Sequence, residues 1–362
     1  MEVLVSADSH VMEPIDLWTK RLPPSMRGAG PRFEMRGGDT CLMVEDTIVR
    51  NFSTLGRAEE RGATEGRAKN FSMGANQPAA RLADLDADGV WGEVMYPNLA
   101  FFCCHRIENA ALQAATARVY NDWVGEIFLG ASERFAPAAL LPVLDVAAAV
   151  DELRRVAAAG FRTALLPAHV DVRPYNDRAY EPLWAAAEEA RLPLSFHAGT
   201  GRSQTPAHGD GGAVINYVLT VAGPMETVTY LSASGVLERH SGLRVVMVEC
   251  GSGWLAWALH AMDDAYREHH RWVRPKLAQL PSEYFRRQGY VTFQHDPVGL
   301  GNIPFTGDRC LLWGSDYPHP EGTWPHSREV LARQMRGLAA DVVERIVCGN
   351  AAELYGFRVA GR

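Results

Sequence analysis

Lysine is almost missing from this chain. Lys20, Lys69 and Lys276 are the only lysines among 36 basic residues, which leaves 33 arginines. The arginines are scattered and the net charge is −7, so there is no basic stripe to follow a phosphate backbone, and nucleic-acid binding is excluded. No apolar run approaches the length of a membrane span, so no spanning helix and no membrane partner are expected. The N-terminus, MEVLVSADSH, lacks a basic region, a long apolar stretch and a small-residue cleavage site. It does not read as a signal peptide, and the cytoplasm is the expected location. The six cysteines show no C-x-x-C spacing and several lie in apolar runs, which points to buried, reduced thiols. No G-x-G-x-x-G follows an early strand. Gly199-Thr-Gly201 fails that pattern, which argues against a dinucleotide-binding sheet.

What is present is a regular alternation. The 362 residues are 47% hydrophobic and 22% charged, an ordinary globular mix. Eight short apolar runs recur: Val3–Ala7, Gly92–Tyr96, Phe135–Leu141, Thr163–Pro167, Leu192–His197, Leu243–Glu249, Tyr290–Gln294 and Arg309–Ser315. Each is nearly continuous in aliphatic residues, the pattern of a strand buried on both faces in a parallel sheet. Stretches with helical spacing lie between them: 78–88, 108–129, 146–159, 181–190, 216–234, 253–268 and 325–336. Asp145 is placed to cap the third of these and Gly160 to end it. Eight strands alternating with helices predict an α/β fold, a (β/α)8 TIM barrel. The domain reading is one barrel over 1–362. Its surplus length falls between Glu13 and Gln77, an insertion of about 19–77 after the first strand that would form a lid, a short hairpin or an oligomer contact. The insertion and the apolar helices leave room for a homodimer.

Barrel enzymes carry their chemistry at the C-terminal ends of the strands. The first run ends in Asp8-Ser9-His10, whose outer two side chains share a face in extended chain. The fifth ends at His197, the sixth at Glu249 and the eighth at Asp316-Tyr317-Pro318-His319. Carboxylates and imidazoles converging on one mouth make a metal-ligand set of Asp8, His10, His197, Glu249 and Asp316, with Glu13 and His319 as weaker extra ligands. The carboxylate share favours iron or manganese, with zinc also admitted, as one or two divalent transition-metal ions. No lysine lies near a strand end, and the fourth run leads into Ala168-His169, so a carbamylated-lysine bridge between two metals is excluded. A second ion would depend on Glu249. The loop Gly199–Gly212 holds Arg202 and His208, with Arg202 a candidate for a substrate carboxylate or phosphate. Trp254 and Tyr317, with Phe101, Phe102 and Trp324, lie next to strand ends as candidate pocket walls.

Six segments resemble the second amidohydrolase family, the metal-dependent barrels that include aminocarboxymuconate semialdehyde decarboxylase and related hydrolases. They are ADSHVMEPIDLW (7–18), RLADLDADGVWGEVMYP (81–97), LSFHAGTG (194–201), LRVVMVECGSGWL (243–255), LLWGSDYPHPEG (311–322) and GNAAELYGF (349–357). The resemblance implies Asp8 and His10 as first-strand ligands, His197 as the fifth-strand ligand, and Asp316 as ligand and proton carrier. Two positions depart from it. The family's H-x-H on the first strand is D-x-H here, and Glu249 stands where its decarboxylases place a catalytic histidine.

The resulting expectation is a metal-dependent hydrolase acting on a small acyl or carboxylate substrate. A metal-activated water would attack an ester, amide, lactone or thioester carbonyl, with Asp316 or Glu249 taking the proton and His319 stabilising the oxyanion. The alternatives are a thioesterase acting on an acyl-CoA-like substrate, a non-oxidative decarboxylase, and a non-catalytic metal-binding barrel.

Overall fold

The computed structural model describes residues 3–52, 73–201, 207, 209–269 and 271–359. Each of the eight apolar runs contains one strand of a parallel sheet: β1 (Val5–Ser6), β5 (Gly92–Met95), β6 (Phe135–Leu140), β7 (Thr163–Pro167), β8 (Leu194–His197), β9 (Val245–Val248), β10 (Gly289–Phe293) and β11 (Leu311–Trp313). They pair in sequence order. All but one of their residues are buried, because helices cover one face and side chains from the other strands cover the other. The barrel is nearly closed. Its seam between β11 and β1 is drawn together by Ala7 N–H on Trp313 O at 2.9 Å and Asp316 N–H on Asp8 O at 2.8 Å. A parallel bridge between Ser9 and Tyr317 continues it. Gly314 makes this approach feasible, since a Cβ there would lie 2.4 Å from Asp8 Cβ.

Between β1 and β5 the chain forms a separate antiparallel sheet of β2 (Arg32–Arg36), β3 (Asp39–Val44) and β4 (Thr47–Asn51), more than the short hairpin expected there. Its middle strand buries Cys41–Val44, and Phe33 packs on Phe52 with ring centroids 5.5 Å apart. Residues 53–72 of the expected insertion lie outside the described residues.

Helix Val146–Ala159 matches its predicted range. Asp145 accepts from Ala147 N and Ala148 N, and Gly160 ends the helix at φ 96°. The stretch predicted as one helix over 216–234 is two, Gly212–Leu219 and Ala222–Ala233. Pro224 explains the break: without an N–H it fits a first helical turn but not a helix interior. The helix expected over 108–129 runs as Ala110–Val124 and then widens into a π-helical turn over Gly125–Leu129.

Candidate metal centre

Four strand ends deliver the expected residues to one place. His197 closes β8, Glu249 follows β9, Asp8 and His10 follow β1, and Asp316 follows β11. His10 Nε2 lies 3.3 Å from Glu249 Oε2, 3.3 Å from Asp316 Oδ1 and 3.8 Å from Asp8 Oδ1. His197 Nε2 lies 3.2 Å from Glu249 Oε2 and 3.9 Å from Asp8 Oδ1. Two overlapping groups have ligand atoms close enough to share an ion: Asp8, His10, His197 and Glu249, and His10, Glu249, Asp316 and His319.

The surroundings prepare these atoms for a cation. His10 Nδ1 bonds the Pro97 carbonyl at 3.1 Å and His197 Nδ1 bonds the Ala198 carbonyl at 2.9 Å. Each contact places the ring proton on Nδ1, so each neutral imidazole turns an Nε2 lone pair toward the carboxylates. Asp8 Oδ1, Asp316 Oδ2 and His197 Nε2 are buried without a hydrogen-bond partner. Buried polar atoms rarely go unpaired, and a divalent cation among them would supply the missing interaction. The donor set of two imidazoles and three carboxylates fits such an ion.

The electrostatics agree. Burial pushes the Asp8 carboxyl well above its usual range, and the neighbouring Asp316 and Glu249 charges push the same way. Burial alone would depress the His10 imidazole, but its hydrogen bonds to Asp316 and Glu249 outweigh this and raise it. Burial would likewise raise Glu249, yet contacts with His10 and His197 hold it well below the ordinary carboxylate value. Glu249 and Asp316 also sit at φ 53° and 56°, a left-handed conformation costing about 1 kcal/mol or more for a residue with a Cβ.

His319 joins the group through Asp316. Its Nδ1 donates to Asp316 Oδ1 at 2.8 Å, and its Nε2 accepts from Asn98 Nδ2 at 3.1 Å. Glu13 does not join it. Its carboxylate accepts from Leu99 N and Ala100 N at 2.8 Å each, so it caps the helix Leu99–Cys103. Tyr317 is buried in the barrel seam, with its hydroxyl on Asp84 Oδ2 at 2.6 Å and Arg81 over its ring, which makes it a packing residue rather than a pocket wall. Trp254 follows β9, and its indole N–H donates to the Cys250 carbonyl at 3.0 Å. Arg202 and His208 lie outside the described residues.

Phe101 and Phe102, two of the candidate pocket walls, lie at the site, together with Arg50, which the sequence did not mark. The Phe101 ring packs 5.1 Å from His197 and 4.0 Å from Phe102, and the Arg50 guanidinium of β4 stacks 4.3 Å over Phe102. Burial lowers the Arg50 pKa, and the Glu321 charge offsets part of that. Nothing local in the sequence of β4 pairs it with a segment some fifty residues on.

The amidohydrolase family profile matches residues 77–357. The chain belongs to the amidohydrolase family. A γ-resorcylate decarboxylase of Rhodococcus jostii is 34% identical over 152 residues, 38% of this chain and 45% of that protein. The decarboxylase orsB of Emericella nidulans is 30% identical over 158 residues, 41% and 48% of the two chains. The match thus spans less than half the length of either relative. Among solved structures, an amidohydrolase from Mycobacterium avium subsp. paratuberculosis superposes at TM-score 0.79 with 21% identity, covering 98% of this chain and 99% of that one. A dihydroxybenzoic acid decarboxylase from Polaromonas, solved with manganese and the inhibitor 2-nitroresorcinol, gives 0.70 with 18% identity, covering 99% and 98%. These likenesses place the chain among amidohydrolase-fold barrels. Manganese, one of the two favoured metals, is the ion bound in that neighbour; iron and zinc find no such support. No helix among the described residues is long and apolar enough to cross a membrane.

Proposed function

We propose that this chain is a divalent-metal-dependent decarboxylase of a small hydroxylated aromatic carboxylic acid. The observation that carries the reaction class is the match to two decarboxylases, combined with a buried cluster of two imidazoles and three carboxylates. This displaces the hydrolase expected from the sequence as the leading reading.

Asp8, His10, His197 and Glu249 would hold the ion, with Asp316 and His319 in the adjoining group that shares His10 and Glu249. When bound, such an ion supplies positive charge that anchors the substrate's oxygens and offsets developing negative charge. In the reaction the ring–carboxyl bond breaks, CO2 leaves, and the electron pair stays on the ring carbon, which takes a proton. Asp8 and Asp316 side chains are fully buried, whereas that of Glu249 is 22% exposed, so Glu249 is the carboxyl placed to meet a substrate. Contacts with His10 and His197 hold Glu249 well below the ordinary carboxylate value, so it faces the substrate as a carboxylate. Asp316 and His319, hydrogen-bonded to each other, form the pair that would carry the proton to the ring carbon. Phe101 offers a face for the substrate ring, and Arg50 a cation for a peripheral anionic group.

One observation favours the second reading, hydrolysis of an ester, amide, lactone or thioester. Glu249 occupies a position where the resemblance leads one to expect a histidine in decarboxylases, and a carboxylate suits the role of base toward water. The two separate on one panel. Manganese-loaded protein is incubated with hydroxybenzoates and with matched esters and thioesters, and CO2, phenol and acid are quantified. Stoichiometric CO2 and phenol from a hydroxybenzoate are expected. Acid release from an ester or thioester without CO2 from any carboxylate would sink the decarboxylase reading.

A further inference from the structure

β10 contributes neither a histidine nor a carboxylate to the cluster, yet it touches the carboxylate of Asp8 and the backbone of Glu249. Thr292 is fully buried, and its Oγ1 accepts from the Glu249 backbone N–H at 2.8 Å. The same hydroxyl donates toward Asp8 Oδ2 at 3.4 Å, and Gln294 Nε2 donates to that oxygen at 3.2 Å. Both donors converge on Oδ2. Oδ1 has no partner and is the oxygen that lies 3.8 Å from His10 Nε2 and 3.9 Å from His197 Nε2.

The strand end is itself anchored. The Gln294 carbonyl accepts from Gln334 Nε2 at 3.0 Å, and Gln334 Oε1 accepts from Asp296 N at 3.2 Å. Asp296 Oδ2 accepts from Ser252 N at 2.6 Å and Gly253 N at 2.8 Å, which pins the turn that follows Glu249.

We propose that Thr292 is a positioning residue for the metal centre: one hydroxyl sets the Asp8 carboxylate so that only Oδ1 is offered to the ion, and fixes the backbone of Glu249. Two physical needs make the restraint useful. Clustered carboxylates repel one another and would rotate apart. Glu249 is also held at φ 53°, a conformation that persists only where neighbours enforce it. A threonine is the residue type for this task, because its hydroxyl both accepts and donates while its methyl keeps the strand position filled.

The inference rests on the proposed metal-dependent function, and the test separates the two. Manganese-loaded wild type, Thr292→Val and Thr292→Ser are equilibrated against graded chelator, and bound metal is measured directly beside the thermal melt of each. Wild type is expected to retain manganese. Thr292→Val, nearly isosteric but without the hydroxyl, is expected to hold it about 10- to 100-fold more weakly, and Thr292→Ser to recover most of the loss. Gln294→Leu, which removes the other donor to Oδ2, is expected to shift retention in the same direction and keeps the proposal testable if Thr292→Val folds poorly. A wild type that binds no divalent ion would overturn the functional reading and this inference with it. A metal-retaining wild type matched by equally retentive Thr292→Val and Gln294→Leu would overturn the inference alone, even if their melting points fell.

Discussion

At the scale of the residue, Asp8 and His10 decide how the centre answers to pH. Burial raises the Asp8 carboxyl, and hydrogen bonds to Asp316 and Glu249 raise the His10 imidazole against the opposing effect of burial. Both groups bind an ion only after giving up a proton, so a proton and a cation compete for the same atoms. Apparent manganese affinity is therefore expected to climb with pH and to keep climbing above about 6.5, the ordinary imidazole value, because His10 titrates higher than that. Calorimetric titrations of manganese in two buffers of different ionisation heat should show proton release on binding. An affinity independent of pH between about 5 and 8, with no buffer-dependent heat, would contradict the raised values of both groups.

At the scale of the element, what could be read in the sequence depended on how local the cause was. The helix Val146–Ala159 was legible end to end because its cap, its apolar spacing and its terminating glycine all lie within the segment. The strand ends were legible too, since a polar residue closing a buried run stands out in the sequence. Glu13 shows the limit. It looked like a spare ligand because it follows the first strand, but its partners lie some 85 residues on, at Asn98, Leu99 and Ala100. There it satisfies amide groups at the start of Leu99–Cys103, the helix that carries Phe101 to the site. Burial raises its pKa, and those backbone hydrogen bonds oppose the rise. Glu13→Ala should strand these buried amides and cost about 1–3 kcal/mol in denaturant unfolding, while the bound metal per chain stays unchanged. Loss of metal at full stability would restore Glu13 to the ligand set.

At the scale of the molecule, function depends on closing the barrel, because the first and last strands both end in candidate ligands. The eight runs foretold the number and order of strands, but the closure joins residues some three hundred positions apart and left no local mark. Arg81 is its buried clamp. Arg81 and Glu93 are both fully buried and ion-paired. Arg81 Nη1 donates to the His10 carbonyl at 2.7 Å, Nη2 donates to Ser9 Oγ at 3.0 Å, and the guanidinium lies 4.7 Å over the Tyr317 ring. One side chain thus touches both sides of the seam, beside His10 on one and next to Asp316 on the other. Replacing it with methionine leaves the Glu93 carboxylate buried beside no cation, which is expected to cost about 3–5 kcal/mol of stability. Arg81→Met combined with Glu93→Gln removes the stranded charge and should regain much of that loss. The double variant still lacks the donors to His10 and Ser9, so its manganese retention should stay below that of wild type when its melt has recovered. Melting curves and metal content of the two variants check both statements. A stable Arg81→Met, or a double variant with wild-type metal retention, would show that the seam holds its ligands without this clamp.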